Sequence, residues 1–320
     1  MSFSNSVRSE LARVEPENIC CRKAELAALL LHKSGLVDFE NNYLMTVEVD
    51  NPALARKIYR YLKDIYHFAP FVEVIHKSKV RKNRSYKVQA LLSTLQLTSL
   101  NEIIIIENGV FKPKLNIDTF GDCCKRAYIR GLFLSRGFVS RPEGNYHLEF
   151  MLNHLKLAKQ VQKFLNSFDI GIKIIKRKKS LVLYIKESEQ IADFLRIVGA
   201  NKALLEFENV RILKSMRNSV NRQVNCETAN LAKTIDASVR QMEIINKIIA
   251  TGNLEALPSQ LRELAYLRLD HPEATLKELG LMLNPPLSKS GIAYRMRRLE
   301  KIGQELLAEN IDNRSDFNKF

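Results

Sequence analysis

Apolar residues recur along this chain in two blocks of the same layout. The first opens at Cys20–Gly35 (CCRKAELAALLLHKSG), where residues three and four apart would share the faces of a helix. Tyr43–Asp50 then alternates apolar and polar, the period of a half-buried strand. Pro52–Tyr66 has proline near its start and Leu54, Ile58, Leu62 and Ile65 on one side, which predicts an amphipathic helix. Phe71–His76 and Ser85–Leu92 read as strands, a helix begins near Ser93, and Glu102–Glu107 is a short apolar run. The second block keeps the order. It reads as a helix at Cys123–Ser140, a strand at Tyr146–Leu152, a helix at His154–Phe168, strands at Ile172–Ile175 and Leu181–Ile185, and a helix at Ser188–Val198.

A constant offset of 103 residues lays one block on the other: Cys20 on Cys123, Cys21 on Cys124, Ala24 on Ala127, Ala28 on Gly131, Leu54 on Leu157 and Leu62 on Leu165. This is an internal duplication of two α-β-α-β-β-α halves. Small residues four apart, Ala24 with Ala28 and Ala127 with Gly131, let two helix backbones approach closely. The two helices are therefore expected side by side at a pseudo-two-fold axis. Gly137 is expected to end the second in a left-handed conformation. Each half then offers a short antiparallel sheet, and the pair makes a saddle.

The last third is helical throughout. Ala203–Ile249 is polar and rich in Arg and Asn. Pro258–Leu269 carries Leu261, Leu264, Ala265 and Leu267, and Thr275–Leu283 buries Leu276, Leu279 and Leu283. Asn284-Pro285-Pro286 breaks the chain before Ser288–Leu307, whose buried side is Ile292, Met296, Leu299 and Ile302. Helix, tight break and helix in a small trihelical unit is the helix-turn-helix pattern. N-terminal residues of the second helix meet bases in that arrangement. The candidates over about Thr275 to Ala308 are Lys277, Ser288, Lys289, Ser290, Tyr294, Arg295, Arg297 and Arg298.

Charge supports a polyanionic partner. The chain has 320 residues, 50 Lys plus Arg against 35 Asp plus Glu, and a net charge of +15. Both hairpin connections are basic. Lys79, Arg81, Lys82 and Arg84 lie in the first, and Lys176, Arg177, Lys178 and Lys179 in the second. Arg217 and Arg222 add to them, and such turns suit the phosphates of a bound duplex. The start, MSFSNSVRSE, does not resemble a signal peptide, and no apolar run is long enough to span a membrane. A soluble, cytoplasmic, nucleoid-associated protein is expected. The cysteines Cys20, Cys21, Cys123, Cys124 and Cys226 lack Cys-x-x-Cys spacing. They read as reduced, mostly buried thiols, with no metal or cofactor expected.

The helix-plus-glycine element, present twice, resembles the LAGLIDADG signature of homing endonucleases, whose two signature helices pack at the centre of a DNA-binding saddle. The run CKRAYIRGLFLSRGFVSRPEGNYHLEF is more similar still to the WhiA family of bacterial proteins, and the resemblance extends from about Cys20 to about Glu305. In active endonucleases an acidic residue before the glycine helps hold the catalytic metal. Arg136 takes that place in the second repeat, and Lys33 or Ser34 in the first. A guanidinium or ammonium offers no oxygen to a hard cation. The nearby carboxylates, Asp38 and Glu143, lie beyond the glycines in expected loops.

The resemblance implies an α+β fold, with a pseudo-two-fold LAGLIDADG-like saddle followed by an all-α helix-turn-helix domain. The expected boundaries are a degenerate endonuclease-like domain at 1–205, with repeats at about 18–112 and 119–205; a linker at 206–222; a helix-turn-helix domain at 223–310; and a polar tail at 311–320. It implies a non-enzymatic, double-stranded-DNA-binding protein of bacterial cell division and chromosome segregation, and in relatives transcription regulation of the sporulation type. The saddle would contact DNA backbone or a protein partner. Two alternatives stay open: a metal-dependent endonuclease with displaced ligands, and an interaction module for a sigma factor or RNA polymerase.

Overall fold

The computed structural model describes residues 2–31, 34–76, 84–107, 109–114, 120–178 and 180–316. The chain divides into two compact units between Ser215 and Met216.

The first unit begins with α1 (Phe3–Leu11), capped by Ser2, whose Oγ accepts from the Asn5 amide at 3.3 Å. The first half then runs α2 (Ile19–Leu30), β1 (Ser34–Phe39), β2 (Asn42–Val49), α3 (Pro52–Tyr66), β3 (Phe71–His76), β4 (Arg84–Leu92) and α4 (Thr94–Ser99). A hairpin of β5 (Ile104–Glu107) and β6 (Val110–Pro113) follows. The second half runs α5 (Asp122–Arg136), β7 (Gly137–Val139), β8 (Leu148–Leu152), α6 (Leu155–Asn166), β9 (Lys173–Arg177), β10 (Ser180–Ile185) and α7 (Ser188–Val198). The two sheets have the orders β1-β2-β4-β3 and β7-β8-β10-β9, so the duplication extends to strand topology. Each half carries one strand beyond the expected set, β1 and β7, directly after its signature helix.

Local chemistry explains the boundaries. In α3, Asn51 Oδ1 accepts from the amides of Ala53 (2.8 Å) and Leu54 (3.3 Å), Pro52 sits in the first turn, and His67 ends the helix at φ 55°. Leu54, Ile58 and Leu62 are buried on the face that the spacing predicts. Their sheet partners include Val47 and Val88, which stand opposite one another in the register of β2 and β4.

The small-residue rows lie where the two signature helices meet. A Cβ at Gly131 would come within 2.5 Å of the Glu25 carbonyl oxygen and 3.0 Å of Ala28 Cβ, so only glycine fits. Further along, Ser135 Oγ donates to Ala28 O at 3.3 Å, and Arg136 Nη2 donates to Leu31 O at 2.8 Å. Gly137 departs from expectation. Its φ is −91° and ψ 156°, extended backbone that opens β7. Glycine is required there by crowding, since a Cβ would lie 2.3 Å from the Phe133 ring.

Charges are buried beside this interface. Glu25, fully buried, accepts from Lys57 Nζ (2.7 Å), Tyr61 Oη (3.0 Å), and Arg130 Nε and Nη2 (3.1 Å each). Lys57 also donates to the carbonyls of Leu11 (3.1 Å) and Val14 (2.6 Å), and Arg130 to that of Val198 (3.3 Å). Burial lowers the Lys57 ammonium's pKa, and the Glu25 carboxylate opposes that shift.

Helix α8 runs unbroken over Asn201–Ala250. The expected linker at 206–222 lies within this helix. Neither glycine nor proline occurs between Ala200 and Thr251, so nothing in the sequence interrupts it. The second unit contains the later part of α8, then α9 (Ser259–Asp270), α10 (Leu276–Met282) and α11 (Lys289–Asp316). Its core joins Ile245, Ile248, Leu261, Leu264, Leu279, Leu283, Ile292, Met296 and Leu299. Arg268 is buried with it and donates to Ala274 O at 2.7 Å, fixing the bend between α9 and α10.

Candidate nucleic-acid interface

Helix α10 starts with a capping box. Thr275 Oγ1 accepts from the Glu278 amide at 3.3 Å, and Glu278 Oε2 accepts from the Thr275 amide at 2.7 Å. These bonds hold the Glu278 carboxyl below its usual pKa. The connection to α11 is tight. The Leu287 amide donates to Gly280 O at 2.8 Å, and a Cβ at Gly280 would stand 2.3 Å from Leu287 O. Gly280 escaped the sequence reading. A glycine inside a short helical pattern was the available signal.

Ser288 caps α11 by accepting from the Gly291 amide at 3.2 Å, and its Oγ lies 2.9 Å from Ser290 Oγ. Ile292, Met296 and Leu299 turn into the core. Lys289, Ser290, Tyr294, Arg297 and Arg298 are exposed, Tyr294 by 64%, and Arg295 is half-buried. Arg297 Nε donates back to Ala293 O at 3.2 Å. Lys289, Arg295 and Arg298 have no hydrogen bond or ion pair among the described residues. Lys277 on α10 is exposed, as are Arg217 and Arg222 on α8. The result is an amphipathic helix with a capped, solvent-facing start and a basic outer side.

The saddle is less uniform. Arg84, Lys176, Arg177 and Lys178 are exposed at the hairpins. Lys79, Arg81, Lys82 and Lys179 lie outside the described residues. The register places Val37, Phe39, Phe71 and Leu91 together on the open side of the first sheet, opposite the buried Met45, Val47 and Val88. Phe138, Met151 and Ile175 do the same on the second. These open faces thus carry apolar side chains beside charged ones, Glu73 and Lys87 on the first sheet and Glu149 and Lys173 on the second.

At the C-terminal ends of the signature helices, Arg136 is half-buried and bonded to Leu31 O. It borders a cleft of about 290 Å³ with Ser34, Phe111, Asn153 and His154. Burial lowers the Arg136 pKa. Lys33 lies outside the described residues, and Ser34 donates to Leu30 O. Asp38 is exposed in β1 rather than in a loop, and Glu143 is exposed in the turn before β8. Among the described residues, no carboxylate joins Arg136 in lining this cleft.

The opposite, N-terminal ends hold the thiols. Cys21 and Cys124 are buried, whereas Cys20, Cys123 and Cys226 are exposed, so the expectation of mostly buried thiols holds for two. Adjacent residues on a helix point to different sides, which leaves one cysteine of each pair outside. Cys21 Sγ is 3.8 Å from Cys124 Sγ. Burial pushes the Cys21 thiol up to about 11 and raises Cys124 as well. Among the described residues, the sulfurs of Cys20, Cys21 and Cys124 form the one group of potential metal ligands, within 4.8 Å of one another.

The chain matches three family descriptions: "WhiA N-terminal LAGLIDADG-like domain" over residues 19–100, "WhiA LAGLIDADG-like domain" over 125–217, and "WhiA C-terminal HTH domain" over 220–303. It is 51% identical over 315 residues to a protein of Syntrophomonas wolfei named "Probable cell division protein WhiA", covering 97% of this chain and 100% of that one. A protein of the same name from Desulfitobacterium hafniense is 46% identical over 308 residues, 96% of each chain. The crystal structure of full-length DUF199/WhiA from Thermatoga maritima is similar at a TM-score of 0.57 and 28% identity, covering 95% of this chain and 99% of that one. Among the described residues, no helix is long and apolar enough to cross a membrane.

Proposed function

The chain belongs to the WhiA family, and on that premise we propose that it is a non-enzymatic DNA-binding protein of bacterial cell division. Helix α11 enters the major groove, with Lys289, Ser290, Tyr294 and Arg295 at the bases and Arg297 and Arg298 at the backbone. Lys277, Arg217 and Arg222 supply further phosphate contacts. The single observation that carries this reading is the basic surface of α11 flanking the buried Ile292, Met296 and Leu299, where Lys289, Arg295 and Arg298 have no hydrogen bond or ion pair among the described residues. The names of the relatives support a place in cell division. Chromosome segregation and transcription regulation are the processes in which such a reader would act, at the nucleoid.

The chemistry of the lost acidic position supports the absence of nuclease activity. Arg136 occupies the place of the metal-binding acid, and its guanidinium repels a divalent cation. For the saddle, exposed Val37, Phe39, Phe71 and Leu91 favour a protein partner over phosphates. Fluorescence anisotropy with genomic duplex fragments tests the central reading. Affinity falls steeply with salt as counterions are released, and magnesium produces no plasmid cleavage. A flat salt response, or cutting abolished by EDTA, would sink it.

A further inference from the structure

Four thiols converge where the first turns of α2 and α5 meet. Cys20 and Cys21 are the second and third residues of α2, and Cys123 and Cys124 hold the same places in α5. Cys21 and Cys124 face each other at 3.8 Å, and Cys123 Sγ is 4.0 Å from Cys124 Sγ. The Cys20 sulfur lies within 4.8 Å of both buried sulfurs. Sulfurs bound at about 2.3 Å to one tetrahedral zinc stand about 3.8 Å apart; Cys20, Cys21 and Cys124 lie within 4.8 Å of one another, and Cys123, next to Cys124, has to swing in to complete the set.

We propose that Cys20, Cys21, Cys123 and Cys124 form a binding site for one thiophilic divalent cation, zinc by its donor chemistry, which clamps the N-terminal ends of the two signature helices. All four donors are soft sulfur, which selects against magnesium and calcium. Neither helix has a side-chain cap, at Asn18 or at Gly121, and the thiols sit in the first turns, at the positive ends of both helix dipoles. Arg22, Lys23, Lys125 and Arg126 follow the thiols directly, with Lys23 paired to Glu102 and Lys125 to Asp122. Binding replaces thiol protons with the metal and joins helices whose ligands are about a hundred residues apart in sequence, so it stabilises the folded chain.

The test uses the full chain, fully reduced and freed of metal, titrated with cobalt. One equivalent gives intense tetrahedral absorption bands with a thiolate-to-cobalt charge-transfer band, and zinc then bleaches them. The double variant Cys20→Ser/Cys123→Ser changes only exposed positions and keeps the helical circular-dichroism spectrum. It loses the charge-transfer band, and added zinc no longer raises its melting temperature. Cys226→Ser, remote in sequence and exposed on α8, keeps both responses. The proposal is overturned if the wild type gives only the weak spectrum of hydrated cobalt. It is equally overturned if the double variant binds as the wild type does, or if Cys226→Ser abolishes binding.

Discussion

At the junction of α2 and α5 the charged groups point inward and satisfy one another. Glu25 is enclosed by Lys57, Arg130 and Tyr61, and even the Lys57 protons left over find the carbonyls of Leu11 and Val14. On α11 the charged groups lie towards solvent, and Lys289, Arg295 and Arg298 have no hydrogen bond or ion pair among the described residues. The first arrangement is complete within the chain and serves packing. The second is left open, as the proposed duplex binding requires. Net charge alone does not separate the two, since an arginine contributes equally to the total in either place.

The contrast can be broken first at Gly131. Gly131→Leu should abolish the cooperative thermal transition of the first unit, because even a Cβ meets the Glu25 carbonyl at 2.5 Å. A normal melt by circular dichroism would mean that the helices are less close than described. Glu25→Ala should cost about 3–5 kcal/mol in urea denaturation, since it strands two buried cations. A loss below about 1 kcal/mol would show that the network is open to water. In the second unit, Gly280→Ala should cost about 1–3 kcal/mol by overpacking against Leu287 O. The outward charges should behave in the opposite sense. Arg295→Ala and Arg298→Ala should each weaken duplex binding by about 1–3 kcal/mol for a productive contact. Stability should stay within about 0.5 kcal/mol. A destabilised protein with unchanged affinity would invert the comparison.

The duplicated saddle was legible because periodicity and a constant offset agree over long stretches. Pro52, Leu54, Ile58 and Leu62 define α3 without help from the rest of the chain. The strands β1 and β7 were not legible. The second has three residues, too few for alternation to register. Helix α1 hides its apolar face, Phe3, Val7 and Leu11, in a polar run, although the spacing of four is there. Glu25, Lys57, Arg130 and Arg268 look like solvated charges in their local pattern, and only the packed interior reveals them as buried. The convergence of the thiols was not legible for a related reason. Metal-site spacing is sought within one segment, whereas these sulfurs come from helices far apart in sequence. On α11 the buried stripe and the exposed bases separate in the sequence itself, but which base edges they meet is set by the nucleic acid.

The Glu25–Arg130 contact also makes the two halves non-interchangeable. By the constant offset, Tyr128 stands where the second half would need a carboxylate, and Ala27 where the first would need a guanidinium. A first half paired with a copy of itself would present Glu25 without the arginine, and a second half so paired would bury Arg130 without the glutamate. The interface therefore works as a lock with two different keys, and a chain descended from like-with-like assembly is committed to folding as one covalent pair.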